Sequence, residues 1–351
     1  MTKQLISLDI GGANIKVGTM KKTGSEFTLS SSIHIFPMWR QADELADVLI
    51  GIHQSHPAHK AAVTLTAELA DAFPTKRNGV IFVLEAVKRA FSGTDVYVLT
   101  VDGKLKNIEE ALQNPLQAAG ANWVASAWAA AQLFQEGILA DTGSTTTDII
   151  PFKDGVVATQ GRTDPERLTS GELVYTGILR TPCSNLAACI PLRGRFCRVS
   201  PEYFAITADV HLILGNIQPE DYQWPTPDGK GKTPECARAR LARLICGDTD
   251  LLSDNEINGI AHYLYDKQVQ QVTEALYQVL SRMRKPFSLI CAGSGSFLLE
   301  AAAARVGLET LSLDKVCSAE QARTLPVWSL CMMLAAQLGE EDIFGKLKGD
   351  G

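Results

Sequence analysis

The 351-residue chain contains no C-x-x-C pair, no G-x-x-x-x-G-K-[ST] run, and no G-x-G-x-x-G opening a helix. No apolar stretch approaches the roughly 20 residues that a spanning helix needs. These absences exclude a zinc ribbon, a thioredoxin-type redox pair, a Walker loop, a dinucleotide fingerprint and a transmembrane helix. Basic residues are also scarce: 33 Lys+Arg against 39 Asp+Glu leave a net charge of −6, so there is no cationic stripe to neutralise a nucleic-acid backbone. The eight cysteines, Cys183, Cys189, Cys197, Cys236, Cys246, Cys291, Cys317 and Cys331, stand apart from one another, as small buried hydrophobes of a reducing compartment do. The start, MTKQLISLDIGG, runs straight into a strand-like segment and reads as neither signal nor transit peptide. The expectation is a cytoplasmic protein with no membrane and no nucleic-acid partner.

What is present is a hydrophobic content of 46% with 21% charged residues, enough for a core that at this length divides into two lobes. Residues 4–20 read as strand, glycine turn, strand, because the apolar runs are short and β-branched. Leu45, Val48, Leu49 and Ile52 have helical spacing within 41–55, and further helices are expected over 80–91 and 122–135, with a strand around 96–103 between them. A second strand, turn, strand unit follows in GILADTGSTTTDIIPFKDGVV. Residues 218–235 carry Pro219, Pro225, Pro227 and Pro234 with Gly229 and Gly231, which predicts a long inserted loop of the kind that forms lids or binding loops. Ile257, Ile260, Leu264, Val272, Leu276 and Leu280 predict a long helix over 256–284 ended by Pro286. Strand, Gly-Ser turn and helix follow in FSLICAGSGSFLLEAAAARVG, and a last helix is expected over 327–338. The alternation is α/β.

The informative feature is an internal echo. Asp9, Gly11, Gly12 and Asn14 repeat as Asp141, Gly143, Ser144, Thr145 and Thr146, each set at the end of a predicted strand and each followed by another strand. Such a turn offers a concave set of backbone N–H groups that small residues leave accessible, a nest suited to phosphate oxygens. The acid at the strand end adds a ligand for a cation or its bound water. A third turn, Gly293, Ser294 and Gly295, opens a helix whose N-terminus also favours anions. Taken singly, each is equally well a plain hairpin turn; the three in this order are more specific.

The segments LDIGGANIKVG, ADTGSTTTDII and CAGSGSFLL resemble the first phosphate loop, second phosphate loop and nucleotide-side glycine turn of the actin/sugar-kinase/Hsp70 superfamily. VTLTAELADAF at 63–73, SGELVYTGILRTP at 170–182 and EYFAITADVHLILGNI at 202–217 are similar to its hydantoinase/oxoprolinase-related branch, and more narrowly to one-carbon-pathway proteins of methanogens and methylotrophs. The resemblance implies an α/β fold of two ribonuclease-H-like, actin-like ATPase lobes around a central cleft, with lobes at 1–138 and 139–351. It implies a transferase of methanofuran or methylofuran biosynthesis, in which an aminomethylfuran methyl diphosphate condenses with a γ-glutamyltyramine phenol and diphosphate leaves. An ATP-dependent kinase or oxoprolinase-like ATPase of the same superfamily stays open as the alternative, as does a nucleotide-regulated scaffold.

The resemblance further implies Mg²⁺ on Asp9 and Asp141, and a small phosphorylated molecule as the partner. Lys16 is a candidate phosphate contact. A furan-methyl diphosphate ionises readily, so neutralising the leaving group is the protein's main task. The acceptor phenol, of pKa about 10 when free, needs a base or a desolvated pocket. Asp148 is the acid nearest the second turn and reads either as that base or as an edge-strand acid. Glu68 and Asp71, three apart, would share a helix face as substrate contacts or as a solvated acidic patch. Arg180, with Arg193, Arg195 and Arg198, reads as a cationic wall or a solvated basic face. Asp209, in apolar surroundings, is a substrate- or metal-proximal acid or a hydrogen-bonded structural one. His53, His56 and His59 lack a completing ligand and read as surface residues. Assembly into a homo-oligomer stays open.

Overall fold

The structure is a computed structural model that describes residues 3–23, 26–283, 288–313, 321–322 and 324–340. It is an α/β protein of two compact units that are not consecutive halves of the chain. Unit 1 takes the described residues up to Leu139, then Ile150–Arg167, then those from Ser312 onward; unit 2 takes Ala140–Ile149 and Leu168–Leu311. A single division near residue 138 therefore marks only the first crossing, and the last helix, Leu325–Gln337, belongs to unit 1.

Unit 1 is built on a six-stranded sheet of order β3-β2-β1-β4-β5-β6. The strands are β1 (Lys3–Gly11), β2 (Asn14–Thr23), β3 (Glu26–Ile35), β4 (Lys60–Thr66), β5 (Asp95–Leu99) and β6 (Leu105–Asn107). β1 pairs antiparallel with β2 and parallel with β4. Strand alternation sends Ile6, Leu8 and Ile10 to one face, where they share a core with Leu45, Leu49 and Ile52 of the helix Leu45–Ser55 and Val80, Val83 and Val87 of the helix Lys76–Ala90. Ser7 and Asp9 face the other way. There the Ser7 hydroxyl donates to the Val327 carbonyl at 2.6 Å, and Gly18 allows that helix close, since a Cβ would lie 3.1 Å from Val327 Cβ. This burial of a near-continuous apolar surface explains why the helix Leu325–Gln337 returns to the first unit.

The second sheet has the order β10-β8-β7-β13-β14, with β9 beside β8. Its strands are β7 (Gly137–Thr142), β8 (Thr147–Lys153), β9 (Val156–Val157), β10 (Leu173–Val174), β13 (Leu289–Ala292) and β14 (Thr310–Ser312). A separate hairpin joins β11 (Cys189–Leu192) to β12 (Arg195–Arg198). The long helix runs Asp254–Leu280, started by a capping box in which the Ser253 hydroxyl and the Glu256 carboxylate satisfy each other's backbone N–H groups. The helix ends at Leu280 with Ser281 as its C-cap, four residues before the expected end at 284, and Pro286 lies outside the described residues. No described helix is long and apolar enough to cross a membrane.

Residues 218–235 are an ordered loop tied down from below. The Tyr222 ring is fully buried and its hydroxyl donates to Asp209, while Asp228 accepts from Arg240 and Arg243, each at 3.1 Å. His53 is also more than a surface residue. Its ring stacks on Phe91 with centroids 4.4 Å apart and bonds the Ala90 carbonyl, and no group of three metal-ligating side chains exists among the described residues. Cys183, Cys291 and Cys331 are buried thiols, as expected; Cys189, Cys197 and Cys236 are half-buried, Cys246 is exposed, and Cys317 lies outside the described residues.

Candidate active site

In unit 1 the parallel strands β1 and β4 end side by side, with Gly11 in register with Thr66. Asp9 lies near that edge and is only 4% exposed. Its Oδ2 stands 3.4 Å from Lys16 Nζ, directly across the antiparallel pair, while Oδ1 receives no hydrogen bond among the described residues. Burial pushes the Asp9 carboxyl up from its ordinary value, and Lys16 and the nearby Asn122 amide hold it back. The turn between β1 and β2 leaves Gly12 with nothing within 4 Å of a would-be Cβ, whereas Gly11 is tighter, 3.0 Å from the Asn14 carbonyl oxygen. Asp9, Gly11, Gly12, Asn14 and Lys16 are thus one constellation, with Asn122 added by the start of the helix Asn122–Phe134.

In unit 2 the second and third turns come together. The Gly143 N–H closes the turn onto the Thr146 carbonyl at 3.0 Å, and the Gly295 N–H donates to the Thr142 carbonyl at 3.1 Å. A Cβ on Gly295 would lie 2.4 Å from Thr142 Cγ2. Gly177 makes the same kind of approach from another segment, with a Cβ position 2.4 Å from Thr145 N. Asp141 and Thr142 therefore sit against Gly293 and Gly295, and Ser144 and Thr145 against Gly177, because glycine alone permits such backbone proximity.

Arg180 closes one side of this turn. Its backbone N–H donates to the Ser144 carbonyl, its Nη1 donates to Thr145 Oγ1 at 3.1 Å, and its guanidinium lies 3.9 Å from the centre of the Trp224 ring. Burial pulls the guanidinium down from its ordinary value, with the Tyr175 and Tyr203 phenols pushing the other way. Arg193 is committed to Glu256, with Nε 2.6 Å from Oε1.

Four further candidates are placed as follows, and of these Glu68 and Asp71 depart from the sequence expectation. Glu68 and Asp71 are not on a helix: the chain after β4 makes successive tight turns, with Ala70 N–H bonded to the Ala67 carbonyl and Phe73 N–H to that of Ala70. Glu68 is consequently buried and Asp71 exposed, so they share no face. Asp209 has no exposed surface and is fully committed, accepting from Arg240 Nε at 2.8 Å, the Tyr222 hydroxyl at 3.1 Å and the Ile206 N–H at 3.1 Å. Its role in the fold is that of a structural anchor for the 218–235 loop. Asp148 lies in β8 opposite Leu173, half-buried, on the other strand face from buried Thr147 and Ile149. Asn122, Gly177 and Trp224 were not singled out individually from sequence; Gly177 lies within a family-like segment, whereas Asn122 and Trp224 carry no local signal of their role.

The hydantoinase/oxoprolinase family model matches residues 60–325. The chain is 37% identical over 340 residues to (4-{4-[2-(gamma-L-glutamylamino)ethyl]phenoxymethyl}furan-2-yl)methanamine synthase of Methanocaldococcus jannaschii, covering 96% of this chain and 99% of that protein. It is 42% identical over 142 residues to the protein of the same name from Methanococcus vannielii, which covers 40% of this chain and 64% of that one. A nucleotide-free structure of acetone carboxylase is similar in fold, with a TM-score of 0.58, 11% identity, and coverage of 94% of this chain and 70% of that one. The fold is accordingly that of the actin-like ATPases, α/β with ribonuclease-H-type lobes.

Proposed function

The chain belongs to the hydantoinase/oxoprolinase family, and from that premise we propose that it is a cytoplasmic transferase of methanofuran-type carrier biosynthesis, joining a furan-methyl diphosphate to a tyramine-type phenol. The observation that carries this reading is the near full-length identity to a synthase whose named product is a phenoxymethylfuran ether. In such a product the new bond joins a phenol oxygen to a furan-methyl carbon. That carbon gives up diphosphate readily because the ring stabilises positive charge, so the protein's work is to hold and neutralise the leaving anion.

The residues present suit that task. In unit 2 the turn at 143–146, the start of the helix Ser296–Val306 and the Arg180 guanidinium supply groups suited to phosphate oxygens. In unit 1 Lys16 and the open Gly12 turn offer the same chemistry. Asp141 is the matching acid of the repeat in unit 2, and Asp9 in unit 1 fits a divalent cation, since one of its buried carboxylate oxygens receives no hydrogen bond among the described residues. Bound there, Mg²⁺ would supply charge neutralisation of the departing diphosphate. The ligand is thus a small phosphorylated molecule.

The test is to supply the purified protein with the furan-methyl diphosphate, γ-glutamyltyramine and Mg²⁺ without ATP, and to measure ether and diphosphate. Stoichiometric formation of both is expected. Acceptor-dependent conversion of ATP to ADP with no ether would overturn the reading in favour of a kinase or ATPase.

A further inference from the structure

Glu68 follows β4 by two residues, at the carboxyl edge of the parallel β1–β4 pair that also carries Asp9 and Gly11. Crevices outside such strand ends are where open α/β sheets bind ligands. The Glu68 side chain is buried, and its Oε2 receives no hydrogen bond among the described residues. A buried carboxylate oxygen without a donor is costly, by roughly 1–3 kcal/mol for the desolvated group. Its retention here needs a reason.

The surroundings are built closely around it. The helix Lys76–Ala90 presses its first turn onto the Glu68 backbone, with a would-be Gly79 Cβ only 2.5 Å from the Glu68 carbonyl oxygen. That approach brings Lys76 Nζ to 3.6 Å from Glu68 Oε1. Lys76 is shared, however, because it bonds Asp164 Oδ2 at 2.8 Å. Gly120, at φ +61°, lies over both acids, its would-be Cβ 3.1 Å from Asp164 Oδ1 and 3.5 Å from Glu68 Oε1. Behind Asp164, Arg167 stands 4.0 Å away and stacks on the Trp123 ring. One ammonium between two carboxylates leaves Glu68 without full compensation for its burial.

We propose that Glu68 is the general base that takes the proton from the acceptor phenol, with Lys76 and Asp164 as the positioning residues that set its charge. The inference rests on the ether-forming reading of the site. As the phenol O–H bond breaks, the proton passes to the Glu68 carboxylate and the phenol oxygen forms its bond to the furan-methyl carbon. The C–O bond to diphosphate breaks with its electron pair going to the leaving group, and Glu68 then returns the proton to water. Burial, opposed by Lys76 and aided by Asp164, pushes the Glu68 carboxyl up to about 7, which matches a base that must be ionised yet willing to accept a proton near neutrality.

The experiment compares wild type with Glu68→Gln, using γ-glutamyltyramine and a ring-nitrated tyramine acceptor whose phenol ionises near neutral pH. Wild-type kcat/KM should rise with pH through a limb near 7. Glu68→Gln should lose that limb and at least about 100-fold in rate with the ordinary phenol, and recover most of the rate with the nitrated one. A folded Glu68→Gln enzyme that keeps the limb, or that gains nothing from the acidic phenol, overturns the assignment. Asp164→Asn supplies a second arm that leaves Glu68 in place: the limb should move to lower pH as a like charge is removed, and an unmoved limb also overturns it. Absence of ether from wild type would instead mark failure of the function reading.

Discussion

A methyl group on the Cα of Gly293 would stand 2.3 Å from Asp141 Oδ1 and 2.4 Å from the Thr142 carbonyl oxygen, and Gly293 itself sits at φ +80°. The third glycine turn is therefore held against the second by the absence of a side chain. Gly293→Ala should cost about 1–3 kcal/mol of unfolding free energy through backbone strain, read as a shift in urea midpoint, and should abolish ether formation because Asp141 is displaced. Gly12→Ala is the contrasting variant: with open space around its Cβ position and no positive φ, its stability should stay within about 0.5 kcal/mol of wild type. A rise in KM for the diphosphate donor in Gly12→Ala then reports close ligand approach, and an unchanged KM removes Gly12 from the site.

The stacking of Arg180 on Trp224 ties the 218–235 loop to the second turn within unit 2. A lysine keeps the charge but loses the planar face and the fork. Arg180→Lys should raise KM for the donor by about 10-fold, equivalent to a cation–π and hydrogen-bond loss near 1–2 kcal/mol. Trp224→Phe should preserve most of the affinity and Trp224→Ala should lose it, with the double variant Arg180→Lys/Trp224→Ala less than additive. Full additivity would mean the two side chains work independently.

Arg240 and Asp209 are both wholly buried, and their ion pair, 2.7 Å at Nη2, is the pin under that same loop. Removing one partner strands the other charge, so Asp209→Ala should destabilise by about 3–5 kcal/mol. Asp228→Ala, whose carboxylate is 14% exposed, should cost less, about 1.5–3 kcal/mol. Chemical denaturation checks both, and equal costs would show that the deeper pair is not the main anchor.

Much of this was legible in the sequence for local reasons. The glycine turns, the strand alternation of LISLDI and the apolar spacing of Ile257, Ile260 and Leu264 each declare themselves within about a dozen residues. Glu68 and Asp71 misled because three-residue spacing means a shared face only on a helix, and the chain after β4 turns too tightly to form one. The environment that gives Glu68 its chemistry comes from Lys76, Gly120 and Asp164, and the partners of Thr145 are Gly177 and Arg180, the latter stacked on Trp224. Those neighbours are set by sheet order and helix packing, which no local pattern encodes. Asp209 was read correctly as buried, but its partner Arg240 lies one loop and one helix away, so its structural commitment appeared only in three dimensions.

The same buried layer sets an acid limit on stability. His211 has no exposed surface; its Nε2 bonds the Gln268 amide oxygen at 3.0 Å, Asn216 bonds Nδ1 at 3.2 Å, and Phe297 and Tyr265 pack edge-on to its ring. Burial pulls the imidazole down to about 4 against the Gln268 bond, which pushes it up. Because the folded value lies below the unfolded value of about 6.5, the unfolded chain binds more protons between those limits. Stability attributable to this neutral ring is whole above pH 6.5 and drains as pH falls toward 4, by up to about 3 kcal/mol. Gln268 is itself held by donating its amide to Thr176 Oγ1 and the Gly177 carbonyl, at 3.0 and 2.9 Å, so charging His211 loosens the segment that backs the second turn. Urea titrations at pH 7, 5.5 and 4.5 should show the midpoint falling across this window in wild type, with a smaller fall in His211→Gln. A slope that is the same in both proteins would place the acid sensitivity in other groups.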